Sequence, residues 1–289
     1  MSPRPDLHRD IDGDVYVFPR HLAGSTPTGD PALAPLLDRG WDLQYDEDDN
    51  VYVNAPDGRV RLGYLPEGED DGLWRINAYK ATPFDPPVWG VCFNDRVPTE
   101  FVAAFTTSLA TTYQAGAYLA RPVAGSAERD PFHAVVPLLQ QGWKIDRPRW
   151  GVFAVNAPDG LGGLEYTTGY LNPAAELSTR DARWHLWAGK SIDRPYWYAT
   201  ASTDTPVALL TALTRCVADP APLPRWRAET SSYMKGIAQL IPVLPPRPTA
   251  PTPLEVRRAA ASRRPTALPA PSITRWSTSS RPALPGPSR

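Results

Sequence analysis

The chain has 289 residues, 42 % of them apolar, including 10 Trp, 12 Tyr and 7 Phe, which is enough for one or two packed cores. Its formal net charge of −1 conceals a lopsided distribution: residues 1–219 sum to −10 and residues 220–289 to +9. No stretch approaches about 18 consecutive apolar residues, and the first 14 residues carry charges and prolines where a leader would be apolar. Neither a spanning helix nor a secretory leader is expected, and the expected location is cytoplasmic. Cys92 and Cys216 have no ligand or redox spacing and read as reduced, buried small hydrophobes.

In chain order, Val15-Tyr16-Val17 is a short strand. Pro31 to Asp38 is a helix, with Asp30 as its cap, Pro31 at its first position and Gly40 as its stop. Trp41 to Tyr45 and Val51 to Val53 are strands joined by an acidic turn, Asp46 to Asn50. Ala55-Pro56-Asp57-Gly58 is a turn, its Pro presetting φ and its Gly free to take positive φ. Arg59 to Leu65, Leu73 to Lys80 and Val88 to Phe93 alternate with period two, as strands do. A helix starts near Thr99 with Phe101, Val102, Phe105 and Leu109 as its apolar stripe.

The same order recurs. Leu36-Leu37-Asp38-Arg39-Gly40-Trp41 returns as Leu138-Leu139-Gln140-Gln141-Gly142-Trp143, and Asn54-Ala55-Pro56-Asp57-Gly58 returns unchanged at Asn156 to Gly160, both at an offset of 102. Upstream, Ala23-Gly24-Ser25 matches Ala124-Gly125-Ser126 at 101. Downstream, Gly63-Tyr64-Leu65 matches Gly169-Tyr170-Leu171 at 106, which makes Leu161-Gly162-Gly163-Leu164 an insertion between strands. Trp74 then matches Trp184 at 110, and Trp89 matches Trp197 at 108. Every change of offset falls in a Gly-, Pro- or Asp-rich stretch, where insertions are tolerated. The chain therefore reads as α+β: two tandem repeats, 14–113 and 116–219, each a small antiparallel sheet with about two helices on one face. Residues 220–289 hold 15 prolines and read as a mostly disordered tail, interrupted by a helix expected over 229–241 with Tyr233, Ile237, Leu240 and Ile241 on one side.

These motifs resemble those of the SPDY domain family of actinobacteria, which is named for a Ser-Pro-Asp-Tyr motif and typically carries two copies. The carriers are Pro19-Arg20-His21-Leu22-Ala23-Gly24 at the entry, Gly40-Trp41, Ala55-Pro56-Asp57, Trp74 and the helix opening Pro98-Thr99-Glu100. The resemblance covers roughly residues 14–219. It implies the domain map above and no activity, since the family's function is unknown. Both copies here read Ala-Pro-Asp-Gly, without the Ser or the Tyr, and the second replaces the entry motif by Arg121-Pro122-Val123-Ala124-Gly125. An obligatory catalytic role for the family's Ser is thus not implied.

Candidate chemistry is sparse. Asp46, Asp48 and Asn50 open like a calcium loop, but Val51 and Asp57 stand where Gly and Glu are needed. Zinc spacing is missing among His8, His21, His133, His185 and the two cysteines. No metal and no cofactor is expected. Asp57 and Asp159 are read as turn residues that accept backbone N–H groups. The matched tryptophans are assigned to the shared core.

The copies differ on the opposite strand faces. His185, Trp187, Tyr196 and Tyr198 stand where the first copy has Arg75, Asn77, Val88 and Gly90. These four residues are the candidate binding surface, the other reading being that they pack against the first repeat or beneath the segment after 220. Arg257, Arg258, Arg263 and Arg264 form a basic arm. The first reading of function is a non-enzymatic protein with an unknown protein partner and no membrane contact. The second is a nucleic-acid-associated protein, its arm binding weakly and without sequence choice. The third is an enzyme with a site between the repeats, lined by Asp57, Asp159, Arg61 or His185.

Overall fold

A computed structural model describes residues 12–26, 28–66, 73–119, 130–147, 150–177, 182–244 and 258. In the first repeat, α1 (Asp30–Leu37) leads to β2 (Asp42–Tyr45), β3 (Val51–Asn54), β4 (Val60–Tyr64), β5 (Trp74–Ala78) and β6 (Trp89–Phe93), and α2 (Thr99–Gln114) closes it. The second repeats this order as α3 (Phe132–Gln140), β7 (Lys144–Ile145), β8 (Val152–Asn156), β9 (Gly162–Thr167), β10 (Trp184–Ala188), β11 (Trp197–Ala201) and α5 (Val207–Ala218), with a short helix α4 (Pro173–Glu176) between β9 and β10. Pro35 and Pro137 sit at matching positions inside α1 and α3. Gly40 and Gly142 follow those helices with φ of 78° and 84°, the left-handed conformation that glycine adopts without cost. α1 starts one residue before the expected position, with Gly29 ahead of it.

The two repeats do not form separate sheets. They share one antiparallel sheet of ten strands, ordered β2-β3-β4-β5-β6-β11-β10-β9-β8-β7. The halves join at β6 and β11, where Phe93 lies opposite Ala199, Cys92 opposite Thr200 and Val91 opposite Ala201. Val91 and Ala199 are repeat equivalents, as are Phe93 and Ala201, so a pseudo-two-fold axis passes through the Cys92–Thr200 pair. The junction continues symmetrically. The Asn94 N–H donates to the Tyr198 carbonyl, and the Ser202 N–H donates to the Gly90 carbonyl.

One face of this sheet carries the helices. Trp74, Ile76, Ala78, Trp89, Val91 and Phe93, with Trp184, Leu186, Ala188, Trp197, Ala199 and Ala201, are buried in a single core with Phe101, Phe105, Leu109, Leu209, Leu210 and Leu213. α2 and α5 pack together across the junction. Phe105 meets both Trp89 and Phe93 edge-on, and Phe101 of the first repeat meets Trp197 of the second at 5.5 Å between ring centroids.

Register corrects the sequence alignment in two places. Val60 lies opposite Ala78, and Gly162 opposite Ala188, so β4 and β9 correspond at an offset of 102. Tyr166 is therefore the counterpart of Tyr64, and each ring packs on its own tryptophan at 4.6 Å, Tyr64 on Trp74 and Tyr166 on Trp184. Gly162 and Gly163 belong to strand β9 and are not an insertion. The extra residues lie after it, and Tyr170 of the misleading Gly-Tyr-Leu match is exposed.

The second correction concerns the entry motif. Arg20-His21-Leu22 forms a 3-10 turn against the second repeat, not the first. The His21 carbonyl accepts the Trp197 indole N–H at 2.7 Å, and its Nε2 lies 3.0 Å from Asp159. In the first repeat the same two positions are filled by Tyr118. Its carbonyl accepts the Trp89 indole N–H at 2.9 Å, and its hydroxyl donates to Asp57 at 2.9 Å. The structural counterpart of Arg20-His21-Leu22 is thus Ala117-Tyr118-Leu119. The segment expected in that role, Arg121 to Gly125, lies outside the described residues.

Residues 220–244 also depart from expectation. The chain divides into two compact units, Met1–Pro246 and Arg247–Arg289, and only Arg258 of the second is described. The helix expected over 229–241 is a single turn, α6 (Ser232–Lys235), followed by strand β13 (Gln239–Pro242). β13 and β12 (Leu223–Arg225) flank β1 (Val15–Phe18) on its two sides in a second, three-stranded sheet. The apolar residues Leu240 and Ile241 alternate across that strand and do not line one helical side.

A polar knot fastens this sheet to the larger body. The buried Arg225 guanidinium forks onto both Glu100 carboxylate oxygens at 2.7 and 2.8 Å and donates twice to the Gly24 carbonyl. Truncating it strands a carboxylate and a carbonyl. Arg225→Ala should lower unfolding free energy by about 3 kcal/mol in urea titration. Arg225→Lys should recover less than half of that, because an ammonium cannot fork onto Glu100 and Gly24 together. Full recovery by Lys would show that charge alone matters.

Candidate functional site

The ten-stranded sheet has a second face without the four long helices. Its central row crosses the pseudo-dyad: Arg75, Cys92, Thr200, His185 and Glu165 lie opposite one another on β5, β6, β11, β10 and β9. Neighbouring rows place Arg61 beside Asn77 and Gly90, and Tyr198 beside Trp187 and Gly163. Repeat equivalence is lost here. Arg61 corresponds to Gly163, Arg75 to His185, Asn77 to Trp187, Gly90 to Tyr198 and Cys92 to Thr200. Large-to-small exchanges compensate across the sheet. Trp187 lies over Gly163, where a Cβ would stand 2.8 Å from the indole nitrogen. Gly90 leaves room for Asn77 and for Leu177, the residue after α4, so the long loop of the second repeat reaches across onto the first.

That loop is anchored by buried charges. Arg183 pairs with Glu176 and donates to the Thr203 hydroxyl and to the carbonyls of Thr167 and Gly169, while Glu176 accepts the Thr203 N–H. On the first-repeat side, the Arg61 guanidinium lies over the Tyr52 ring at 4.3 Å, and the Tyr52 hydroxyl donates to Asp46. The acidic turn is closed from within, Asp46 accepting the N–H groups of Asp48 and Asn50.

The four expected binding residues do not form one exposed patch. Trp187 and Tyr198 sit opposite each other on the face away from the four long helices but are 8 % and 1 % exposed. His185 is half-buried and meets Tyr198 edge-on at 5.9 Å. Tyr196 lies just before β11, against Gly24 and stacked on Tyr233 at 5.7 Å, so the segment after 220 covers it. Period-two reasoning placed the rings on the correct side of their strands but carries no information on what lies above them. Of the basic arm, Arg258 is exposed, and Arg257, Arg263 and Arg264 lie outside the described residues.

Asp57 and Asp159 hold equivalent turns. Each accepts the N–H two residues on, that of Arg59 at 3.0 Å and of Leu161 at 2.9 Å, and turns its other oxygen to Tyr118 or His21. Burial pushes both carboxyls up, but these donors outweigh it and hold both below the usual carboxylate range. The Tyr118 hydroxyl is pushed up to about 12 by burial and by its bond to Asp57. His21, read from sequence only as part of a motif, is the partner that reasoning missed; its match to Tyr118 becomes visible only in the fold.

The cysteines are free thiols. Cys216 lines an open groove of about 630 Å³ between α2, α3 and α5, with Arg20, Gln140, Gln141, Arg215 and Asp219. Burial pushes its thiol up, with Arg20 opposing, so it is not an activated nucleophile. Among the described residues no group of three His, Cys, Asp or Glu is placed to hold a metal, and no helix is long and apolar enough to cross a membrane.

The fold and this face together define a class: a pseudo-symmetric tandem α+β protein with one shared sheet, a conserved helix side and a diverged open side. The model of the SPDY family, described as a domain of unknown function (DUF317), matches residues 54–115 and 156–223, so these two segments are similar to that family. Each match opens on the Asn-Ala-Pro-Asp-Gly turn and runs through the helix that closes the repeat. Comparison with curated proteins and with solved structures returns no match.

The Asp159–His21 contact has a pH signature. A carboxyl held low when folded contributes stability that is complete above its unfolded value and is lost as pH falls through the folded one. Asp159→Asn should therefore destabilise by about 1–2 kcal/mol near neutral pH. The gap to the parent should narrow in urea midpoints as pH falls below the ordinary aspartate value of about 3.9. A pH-independent gap would show that the carboxylate charge is not what His21 recognises.

Proposed function

We propose that this is a non-enzymatic cytoplasmic binding protein that engages a protein partner through the face of its central sheet away from the four long helices, around the pseudo-dyad. The supporting observation is the contrast between the two sheet faces. Helix-side residues are repeated with the same or similar side chains, Trp74 with Trp184, Ile76 with Leu186 and Trp89 with Trp197, whereas every pair compared on the other face differs in size or charge. Folding accounts for the first set. The second set builds an asymmetric surface from symmetric parts, with Arg61, Arg75, Asn77, His185, Glu165 and Leu177 among the side chains that reach solvent. A flat row of mixed charge beside an exposed leucine suits a protein surface better than an enclosed small ligand. The free thiols accord with a reducing compartment.

The test compares the full chain with an Arg75→Glu/Glu165→Arg variant, both immobilised and exposed to native lysate, after confirming that their melting temperatures agree within about 3 °C. A near-stoichiometric partner held by the parent and lost by the variant is the expected result. An identical set of proteins on both would remove this face from consideration.

A further inference from the structure

The two edges of the ten-stranded sheet are repeat equivalents with opposite chemistry. At one edge β2 carries Asp42, followed by Asp46, Glu47, Asp48 and Asp49 in the adjoining turn; at the other, β7 carries Lys144, followed by Asp146 and Arg147. We propose that these edges are complementary and that the chain self-associates head to tail, β7 of one copy adding to β2 of the next to continue the sheet.

Three observations carry this. The first is direction. Among the described residues all nine pairings in the sheet are antiparallel and the number of strands is even, so β2 and β7 run opposite ways. A second copy brought to the edge without inversion meets it antiparallel. The second is open backbone. Asp46 donates its N–H to Asn50 and Asp146 donates to Ala154, both toward the inner strand. By the alternation of antiparallel ladders, Leu43, Tyr45 and Ile145 direct their N–H and C=O groups away from the sheet. The third is side-chain match. Tyr45 and Ile145 lie on the helix side of their edges and are 70 % and 51 % exposed.

Charge selects the register. With Ile145 opposite Tyr45, Lys144 faces Asp46, and Asp146 faces the neutral Gln44. Sliding by two residues would set Asp146 against Asp42, a like-charge pair that cross-strand neighbours avoid. The favoured register also covers Tyr45 with Ile145. Because one edge binds the other and neither binds itself, the contact is heterologous. It generates an open chain of copies, each rotated by the twist of the sheet, and not a closed dimer.

The experiment is sedimentation velocity on the full chain, with three variants. Lys144→Glu/Arg147→Glu makes both edges acidic, and Glu47→Lys/Asp48→Lys makes the other turn basic. Tyr45→Pro removes an outward N–H while leaving the bonds to β3 in place. At on the order of 100 µM protein and about 0.02 M salt, the parent should sediment beyond a dimer, with mass rising with concentration, and should shrink in about 0.5 M salt. Each variant alone should associate at least about tenfold more weakly, with circular dichroism unchanged. Mixing the two charge variants should restore association beyond a dimer, in chains where the two alternate, because every basic edge then meets an acidic one. A monomeric parent at low salt overturns the proposal, as does association that all three variants leave intact.

Discussion

The pairing of β6 with β11 is the constraint from which the rest of the structure follows. Two separate five-stranded sheets would each expose a central-type strand, Trp89–Phe93 or Trp197–Ala201, whose residues are all buried in the joined sheet. Joining them at Cys92–Thr200 places α2 beside α5 over the seam, and Phe101 of one repeat then packs on Trp197 of the other. The repeats therefore share one core and are not two domains in contact. Sharing a core also explains why the copies agree so closely on the helix side. Each residue there packs within its own repeat and close to the seam, which narrows the substitutions that fit.

A second consequence is that repeat boundaries in sequence and in space differ. Tyr118 completes the first half from the turn just after its own closing helix, while His21 completes the second half from nearly 140 residues away from Asp159. The two residues solve the same local problem, one hydroxyl and one imidazole each satisfying an aspartate in an Asn-Ala-Pro-Asp-Gly turn. They differ in what they tie together: Tyr118 closes a short loop, and His21 fastens the turn after β1 to the far repeat, while Arg225 and Glu100 fasten the β1 sheet to α2 of the first.

Much of the architecture was readable from residues alone. Helix stops at Gly40 and Gly142, the inward tryptophans and the strand order within each repeat follow from local chemistry and periodicity. The remainder depended on information that local pattern does not hold. Gly63-Tyr64-Leu65 matches Gly169-Tyr170-Leu171 by letters, yet cross-strand register equates Tyr64 with Tyr166, because packing against tryptophan is what the position requires. Gly162-Gly163 resembles a loop, yet it is strand, since Trp187 needs the space above it. Leu240-Ile241 fits a helical stripe as well as a strand, and only the presence of β1 alongside decides. For the open face, sequence identified which side chains share a side and could not indicate that Trp187 and Tyr198 are covered.

The position of β1 also bears on how the chain reaches this state. Val15 pairs with Arg225 and with Pro242, so the central strand of the small sheet waits for partners more than 200 residues downstream. Contacts of such separation close late and slowly, since a long loop must be ordered before they form. During synthesis the first repeat can pack once α2 has emerged, whereas β1 has neither neighbour until Leu223–Arg225 and then Gln239–Pro242 have been made. Until then β1 is an unpaired strand, which makes this interval the stage at which the nascent protein is most exposed to misassociation and to chaperone capture.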